Sequence, residues 1–186
     1  MRLIVAMTGA TGSILGIRLL EEMKDAQIET HLVMSEWAEK TLRVETSYHP
    51  DDVKKLASYV YAPNNQAARI SSGSYRVDGM VILPCSMKTL AEIRMGFANS
   101  LIPRAADVIL KERKKLVILP RELPLNSIHL ENMLSLSNAG AVILPPMLTF
   151  YNKPSSLDDA INHVVARTMD QFEIENELTN RWLSHK

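Results

Sequence analysis

Three runs of one spelling, Val-Ile-Leu-Pro, stand at positions 81–84, 117–120 and 142–145. They constrain the fold more than any other feature of the chain. A continuous aliphatic run without polar alternation is how a strand reads when helices cover both of its faces, as in parallel sheets. Proline has no N–H to donate, so each copy is expected to close its ladder at a common edge. The intervals between copies are unequal, which excludes a solenoid repeat. Two further runs, "LIVAMTG" from Leu3 and "ETHLVMS" ending at Ser35, read as strands that lack the proline.

The segments between these runs carry helical spacing. Ile14, Ile17, Leu20 and Met23 form a stripe after the first strand. Leu90, Ile93 and Phe97 follow the first proline run, then Ala105, Val108 and Ile109 ahead of the basic "KERKK". Ile128, Met133, Leu134 and Leu136 follow the second, with Gly140 as a stop. Leu157, Ile161, Val164, Val165 and Met169 mark a last helix after a serine-aspartate start. The stretch 59–78 has little periodicity and reads as loop with room for a short strand. Strand–helix alternation predicts the α/β class: a three-layer, doubly wound, mostly parallel sheet. The expectation is one domain over 1–186, with about 173–186 as a tail packing on a neighbouring subunit.

Lysine plus arginine and aspartate plus glutamate both number 21, so no global basic field points to nucleic acid. Cys85 is the only cysteine, which excludes an internal disulfide and fits a reducing compartment. The N-terminal apolar stretch is too short for a signal peptide, and no run reaches the ~18 apolar residues of a membrane span. The expected location is the cytoplasm, with no membrane partner. The histidines show no metal-ligand spacing: His129 is alone, and His163 and His185 lie far apart. No metal site is expected.

In open α/β sheets, ligands bind beyond the carboxyl ends of the strands, so the residues after each run are the candidates. The first edge reads "MTGATGSILG". A strand, a Gly/Thr/Ser turn and then a helix present backbone N–H groups to a phosphate. The spacing of Gly9, Gly12 and Gly16 departs from G-x-G-x-x-G and from the P-loop. It suits a single phosphomonoester, as on FMN, better than a pyrophosphate; the competing reading is a tight turn and helix cap with no ligand. Ser35 and Ser86 each precede a helix and read first as N-caps. Three hydroxyl-bearing strand ends on one edge nevertheless favour a polar ligand, to which Lys88 and Thr89 are also offered. Cys85 reads as a packed residue rather than a nucleophile.

Arg121 and Glu122 follow the second proline run, where unpaired buried charge is costly. They form a salt bridge, or Arg121 holds an anion while Glu122 works as an acid or base. Arg104 and Lys111, seven apart on one helix, share a face. They meet the same anion or are solvated surface. Tyr151 lies in the proline-bracketed "PPMLTFYNKP", Arg167 in the last helix and Trp182 near the terminus. An aromatic on a polar tail reads as an intersubunit anchor.

The ordered blocks "MTGATG", "ETHLVMS", "SSGS", "PCSMKT", "RAADVILKERKKLVILPRELPL", "IHLENML" and "FYNKP" resemble the UbiX-type flavin prenyltransferases, including those encoded beside phenolic-acid decarboxylases. The match runs from Leu3 to about Trp182. The resemblance implies a Rossmann- or flavodoxin-like fold and an enzyme that joins a dimethylallyl group from dimethylallyl phosphate to reduced FMN through N5 and C6, releasing phosphate. The product then serves a UbiD-type decarboxylase. It further implies metal independence and a homo-oligomer, a dodecamer with sites between subunits. By motif, Gly9, Ala10, Thr11, Ser35, Ser86, Met87, Lys88, Thr89 and Arg121 contact FMN, and Glu45 lies near the reacting flavin. Arg104, Lys111, Arg121, Glu122, Tyr151 and Arg167 surround the dimethylallyl phosphate. Within that set Glu45, Lys111, Glu122 and Tyr151 are the catalytic candidates, and Arg104, Lys111, Tyr151 and Arg167 hold the phosphate. This chain has Thr11 where many relatives have serine, and "LTFY" for "PAFY".

Two other readings compete. A flavoprotein cysteine decarboxylase would carry a "PASANT"-like block and an N-terminal catalytic histidine, whereas "PCSMKT" stands here and the first histidine, His31, lies inside a strand. A non-catalytic FMN-binding subunit of a phenolic-acid decarboxylase complex would have no need of the second anion site that Lys111, Arg121, Glu122 and Tyr151 form.

Overall fold

The computed structural model describes residues 1–183; His185 and the end of the tail, at 184–186, lie outside the described residues. Six strands form one sheet: β1 (Arg2–Met7), β2 (Glu29–Met34), β3 (Tyr59–Tyr61), β4 (Gly79–Cys85), β5 (Lys115–Pro120) and β6 (Val142–Ile143). Their order is β3-β2-β1-β4-β5-β6 and every pairing is parallel. The doubly wound three-layer sheet is therefore as expected, with the Rossmann order and a switch point between β1 and β4.

Alternation along β1 builds both layers. Leu3, Val5 and Met7 enter one core and Ile4 and Ala6 the other, all fully buried. The first core is closed by α1 (Ser13–Asp25) and α7 (Leu157–Asp170), which pack on each other. The second is closed by α4 (Met87–Arg94), α5 (Leu101–Lys111) and α6 (Ser127–Asn138). Ile17, Leu20 and Met23 of α1 have no exposure, as their spacing requires. The short strand anticipated within 59–78 is β3.

Proline does not close the ladder everywhere. β4 continues through Pro84 to Cys85, and its register with β5 shifts between Ile82 and Cys85 before Cys85 pairs with Pro120. A residue without an N–H interrupts pairing for one step, and the strand resumes because Cys85 is drawn into the core. The third copy supplies only two strand residues, extended by Leu144 N–H bonding Ile118 O at 2.8 Å.

Three helical expectations need correction. Phe97 lies beyond the end of α4 and is 59% exposed, outside the stripe of Leu90 and Ile93. Leu157 opens α7 and is 75% exposed. On α6 only Leu136 of the proposed stripe is buried; Met133 is partly covered, while Ile128 and Leu134 face outward with Leu130. That helix is apolar on the side away from its own sheet. Two helices escaped the pattern altogether, α2 (Glu36–Glu45) and α3 (Pro50–Lys54). Between them they bury only Ala38, Leu42, Pro50 and Val53, too few for a periodic signal.

Candidate active site

The carboxyl ends of the strands form a rim whose order follows the sheet. Ser35 lies after β2, Thr8 and Gly9 after β1, Ser86 after β4, Arg121 and Glu122 after β5, and the 144–151 segment after β6. A cavity of about 250 Å³ opens at the switch point, lined among others by Gly9, Ser35, Ser86, Lys88 and Thr89. Both serines are N-caps and cavity residues at once. Ser35 Oγ accepts from Ala38 N–H at 3.0 Å, and Ser86 Oγ from Thr89 N–H at 3.3 Å. Two helix N-termini, of α2 and α4, thus converge on one hollow, the arrangement that holds an anion.

Thr8 fastens the two central strand ends together. Its Oγ1 donates to Pro84 O at 2.9 Å and accepts from Ser86 N–H at 2.8 Å. Gly9 lies against α2: a Cβ there would come 2.5 Å from the Cβ of Trp37. Ala10 is buried beside it. Cys85 is wholly buried, and burial, with the nearby Glu92 adding to it, pushes its thiol far up, as befits a packed residue.

The turn after β1 is arranged differently from a phosphate loop. The N–H groups of Gly12 and Ser13 already donate to Glu45 Oε2, at 2.9 and 3.0 Å. Burial works to raise the Glu45 carboxyl, but hydrogen bonds from Thr11, Ser13 and Gly12 outweigh it and hold the group below the usual range. The anion at the start of α1 is a side chain of the protein itself.

Next along the rim, Arg121 and Glu122 stand at the mouth of an apolar groove of about 540 Å³, with walls that include Leu123, Leu125, Met133 and Met147. Arg121 N–H bonds Cys85 O at 3.0 Å, so this groove adjoins the Ser86 side of the first cavity. Both charged residues are exposed in the single chain. A third hollow, of about 270 Å³, brings Tyr151 and Arg167 together and shares Met147 and Pro145 with the groove.

Arg104 and Lys111 share a helix but do not join this group within one chain. The Arg104 guanidinium bonds Ser71 O at 3.1 Å and Asp107 Oδ2 at 2.8 Å. Lys111 bonds Glu112 Oε1 at 2.5 Å, beside Gly73. It ends α5 four residues before β5 begins, at the edge opposite the rim. β5 then carries the chain about 17 Å from Lys115 to Pro120. Met87 packs against the second core and is not among the residues around the cavity. Among the described residues no three metal-ligating side chains cluster.

The Flavoprotein family profile matches residues 1–170. A probable UbiX-like flavin prenyltransferase of Bacillus subtilis is 58% identical over 181 residues, covering 97% of this chain and 89% of the relative. The crystal structure of a dodecameric FMN-dependent UbiX-like decarboxylase from Escherichia coli O157:H7 superposes with a TM-score of 0.97 at 56% identity, covering 99% and 100% of the two chains. AnUbiX (PadA1), solved with FMN and dimethylallyl pyrophosphate, gives a TM-score of 0.97 at 52% identity, covering 100% and 98%. The chain belongs to the UbiX-like flavin prenyltransferase family.

In this UbiX-like chain the first cavity also contains residues that pattern reading passed over: Thr8, Trp37, Pro63, Glu92, Ser100, Ile102 and Pro103. Thr8 was the most accessible of them, a hydroxyl one residue past the β1 run. Pro63, Ile102 and Pro103 arrive from distant segments, and nothing local marks them. Glu45, the last residue of α2, is brought by that helix to Gly12 from 33 residues away.

Proposed function

We propose that this chain transfers a dimethylallyl group from dimethylallyl phosphate to reduced FMN, at N5 and C6, and releases phosphate. The prenylated FMN then serves a UbiD-type decarboxylase of (hydroxy)aromatic acids. The observation that carries this reading is the pair of adjoining hollows on one rim, one at a convergence of helix N-termini with serine and lysine side chains beside apolar walls, and one apolar with a cation and a carboxylate at its mouth. The first fits a flavin mononucleotide: Ser35, Ser86 and Lys88 suit its phosphate, and Trp37, Pro63, Ile102 and Pro103 offer apolar contact for a ring. Because Glu45 takes the N–H groups at the start of α1, we assign the flavin phosphate to the α2 and α4 side and Glu45 to the reacting side.

When bound, the reduced flavin supplies the nucleophilic nitrogen and carbon. The chain's own residues handle the donor. Burying five carbons is worth roughly 4 kcal/mol at ~0.8 per carbon, whereas micromolar binding needs about 8 kcal/mol. Charged hydrogen bonds at ~1.5–3 kcal/mol each supply the rest, so two or three of Arg104, Lys111, Arg121, Tyr151 and Arg167 suffice. As the allylic C–O bond lengthens, negative charge gathers on the phosphate, and the same cations stabilise it. Glu122 in its protonated form gives that oxygen a proton.

Lys111 and Arg121 lie at opposite edges of the sheet, so one chain cannot close the clamp; we infer that a neighbouring copy brings Arg104 and Lys111. The dodecameric relative supports a homo-oligomer, for which we propose the same subunit count. We read the site of action as the cytoplasm; no described helix is long and apolar enough to cross a membrane.

Incubating the reduced, FMN-loaded protein with dimethylallyl phosphate and weighing the flavin tests the reading. A gain of one five-carbon prenyl unit is expected, and an unchanged flavin would favour the carrier. Lys111→Ala should weaken dimethylallyl phosphate by about tenfold or more, the loss of one charged hydrogen bond. FMN affinity should stay level; an equal loss for both ligands contradicts the assignment.

A further inference from the structure

Tyr151 is gripped by groups that the phosphate clamp leaves without a task. Its ring meets the His163 imidazole edge-on, with centroids 5.7 Å apart and planes at 83°. The Trp182 indole meets it likewise, at 5.4 Å and 89°. His163 lies on α7 one turn before Arg167 and is only 6% exposed. Burial, with Arg167 and Arg181 adding to it and Asp170 opposing, lowers its proton affinity, so the ring is neutral near pH 7.

A buried neutral imidazole needs a polar partner, and Nδ1 finds Thr179 Oγ1 at 3.0 Å. The same oxygen accepts from Asn152 Nδ2 at 3.3 Å. The hydroxyl keeps its hydrogen and a second lone pair for His163, so the imidazole tautomer sets which of the two groups donates. The result is a hydrogen-bonded chain that links Asn152, Thr179 and His163. Asn152 directly follows Tyr151, so the chain ties the tyrosine's backbone, α7 and the C-terminal segment at one point. Arg181 adds a second tie, donating to both oxygens of Asp170 at 2.8 and 2.9 Å, and Arg167 donates to the same carboxylate at 2.7 Å.

We propose that His163 is a positioning residue: through Thr179 it holds the 171–183 segment and the Tyr151 ring over the hollow that Tyr151, His163 and Arg167 line, and so sets the affinity for the allylic phosphate. This rests on reading that hollow as part of the phosphate site. His163 transfers no proton in this role. Its work is to fix one aromatic ring between two others.

The test uses the full-length, FMN-loaded oligomer and measures dimethylallyl phosphate binding by calorimetry, FMN affinity by fluorescence, and amide exchange over 171–183. His163→Ala should weaken dimethylallyl phosphate by about tenfold, equivalent to about 1.4 kcal/mol. It should leave FMN within about twofold and speed exchange in the segment. Thr179→Val, which keeps size and loses only the hydroxyl, should reproduce both effects. The double variant should be no worse than His163→Ala, because the two residues act as one chain. Additive losses, or faster exchange with unchanged dimethylallyl phosphate affinity, overturn the proposal. Wild-type binding of dimethylallyl phosphate without a heavier flavin overturns the prenyl-transfer reading alone; no binding at all overturns both.

Discussion

Glu122→Gln is expected to lower prenyl transfer by about a hundredfold or more, the range over which a positioned acid accelerates a reaction. The substitution keeps size and polarity and removes the transferable proton. It should therefore act on turnover, with dimethylallyl phosphate and FMN affinities changed by less than about threefold, the pattern of an interaction made only in the transition state. The residue is suited to be probed in isolation, since among the described residues its carboxylate bonds only the N–H of Leu123, at 3.1 Å, so its replacement disturbs little of the fold. Rates are read from the mass-shifted flavin under single-turnover conditions. Full turnover in the variant would remove Glu122 from the reaction and leave the cations as the whole of the leaving-group assistance.

The other large effect is expected at Gly9. Alanine there would place a Cβ 2.5 Å from the Cβ and 3.4 Å from the carbonyl carbon of Trp37, in the first turn of α2. A Cβ has no rotamer that moves it aside, so the contact is relieved only by moving the helix start, and Ser35 moves with it. Loss of two charged hydrogen bonds to the flavin phosphate, at ~1.5–3 kcal/mol each, corresponds to roughly a hundredfold loss in FMN affinity or more. Fluorescence titration with FMN reads this directly. Riboflavin, which lacks the phosphate, should lose far less. Near-wild-type FMN binding in Gly9→Ala would mean that the α2 terminus does not touch the ligand.

The sheet was legible because buried parallel strands have a plain signature, and the three proline-ended runs repeat it. The rim was legible for the same reason: once strand ends are known, Ser35, Ser86, Arg121 and Glu122 lie on one edge by topology alone. What escaped was set by distance or by sparse burial. Glu45 reaches the start of α1 across 33 residues, and no local pattern announces a carboxylate that caps a foreign helix. α2 and α3 bury too little to be periodic. Seven-residue spacing put Arg104 and Lys111 on one face of α5, yet the length of that helix carries Lys111 to the wrong edge. Ile128, Leu130 and Leu134 had the composition of a core helix without being in the core.

That outward apolar face of α6 is continued nearby by the exposed side chains of Leu123 and Leu125, and the 144–151 loop leaves Met147, Leu148 and Phe150 uncovered as well. Patches of this kind mark surfaces meant to be covered. Where covering is done by like copies, mass action enters the folding equilibrium and resistance to heat grows with protein concentration. Dilution would then act twice, loosening each subunit and, on the proposed shared clamp, parting Lys111 from Arg121.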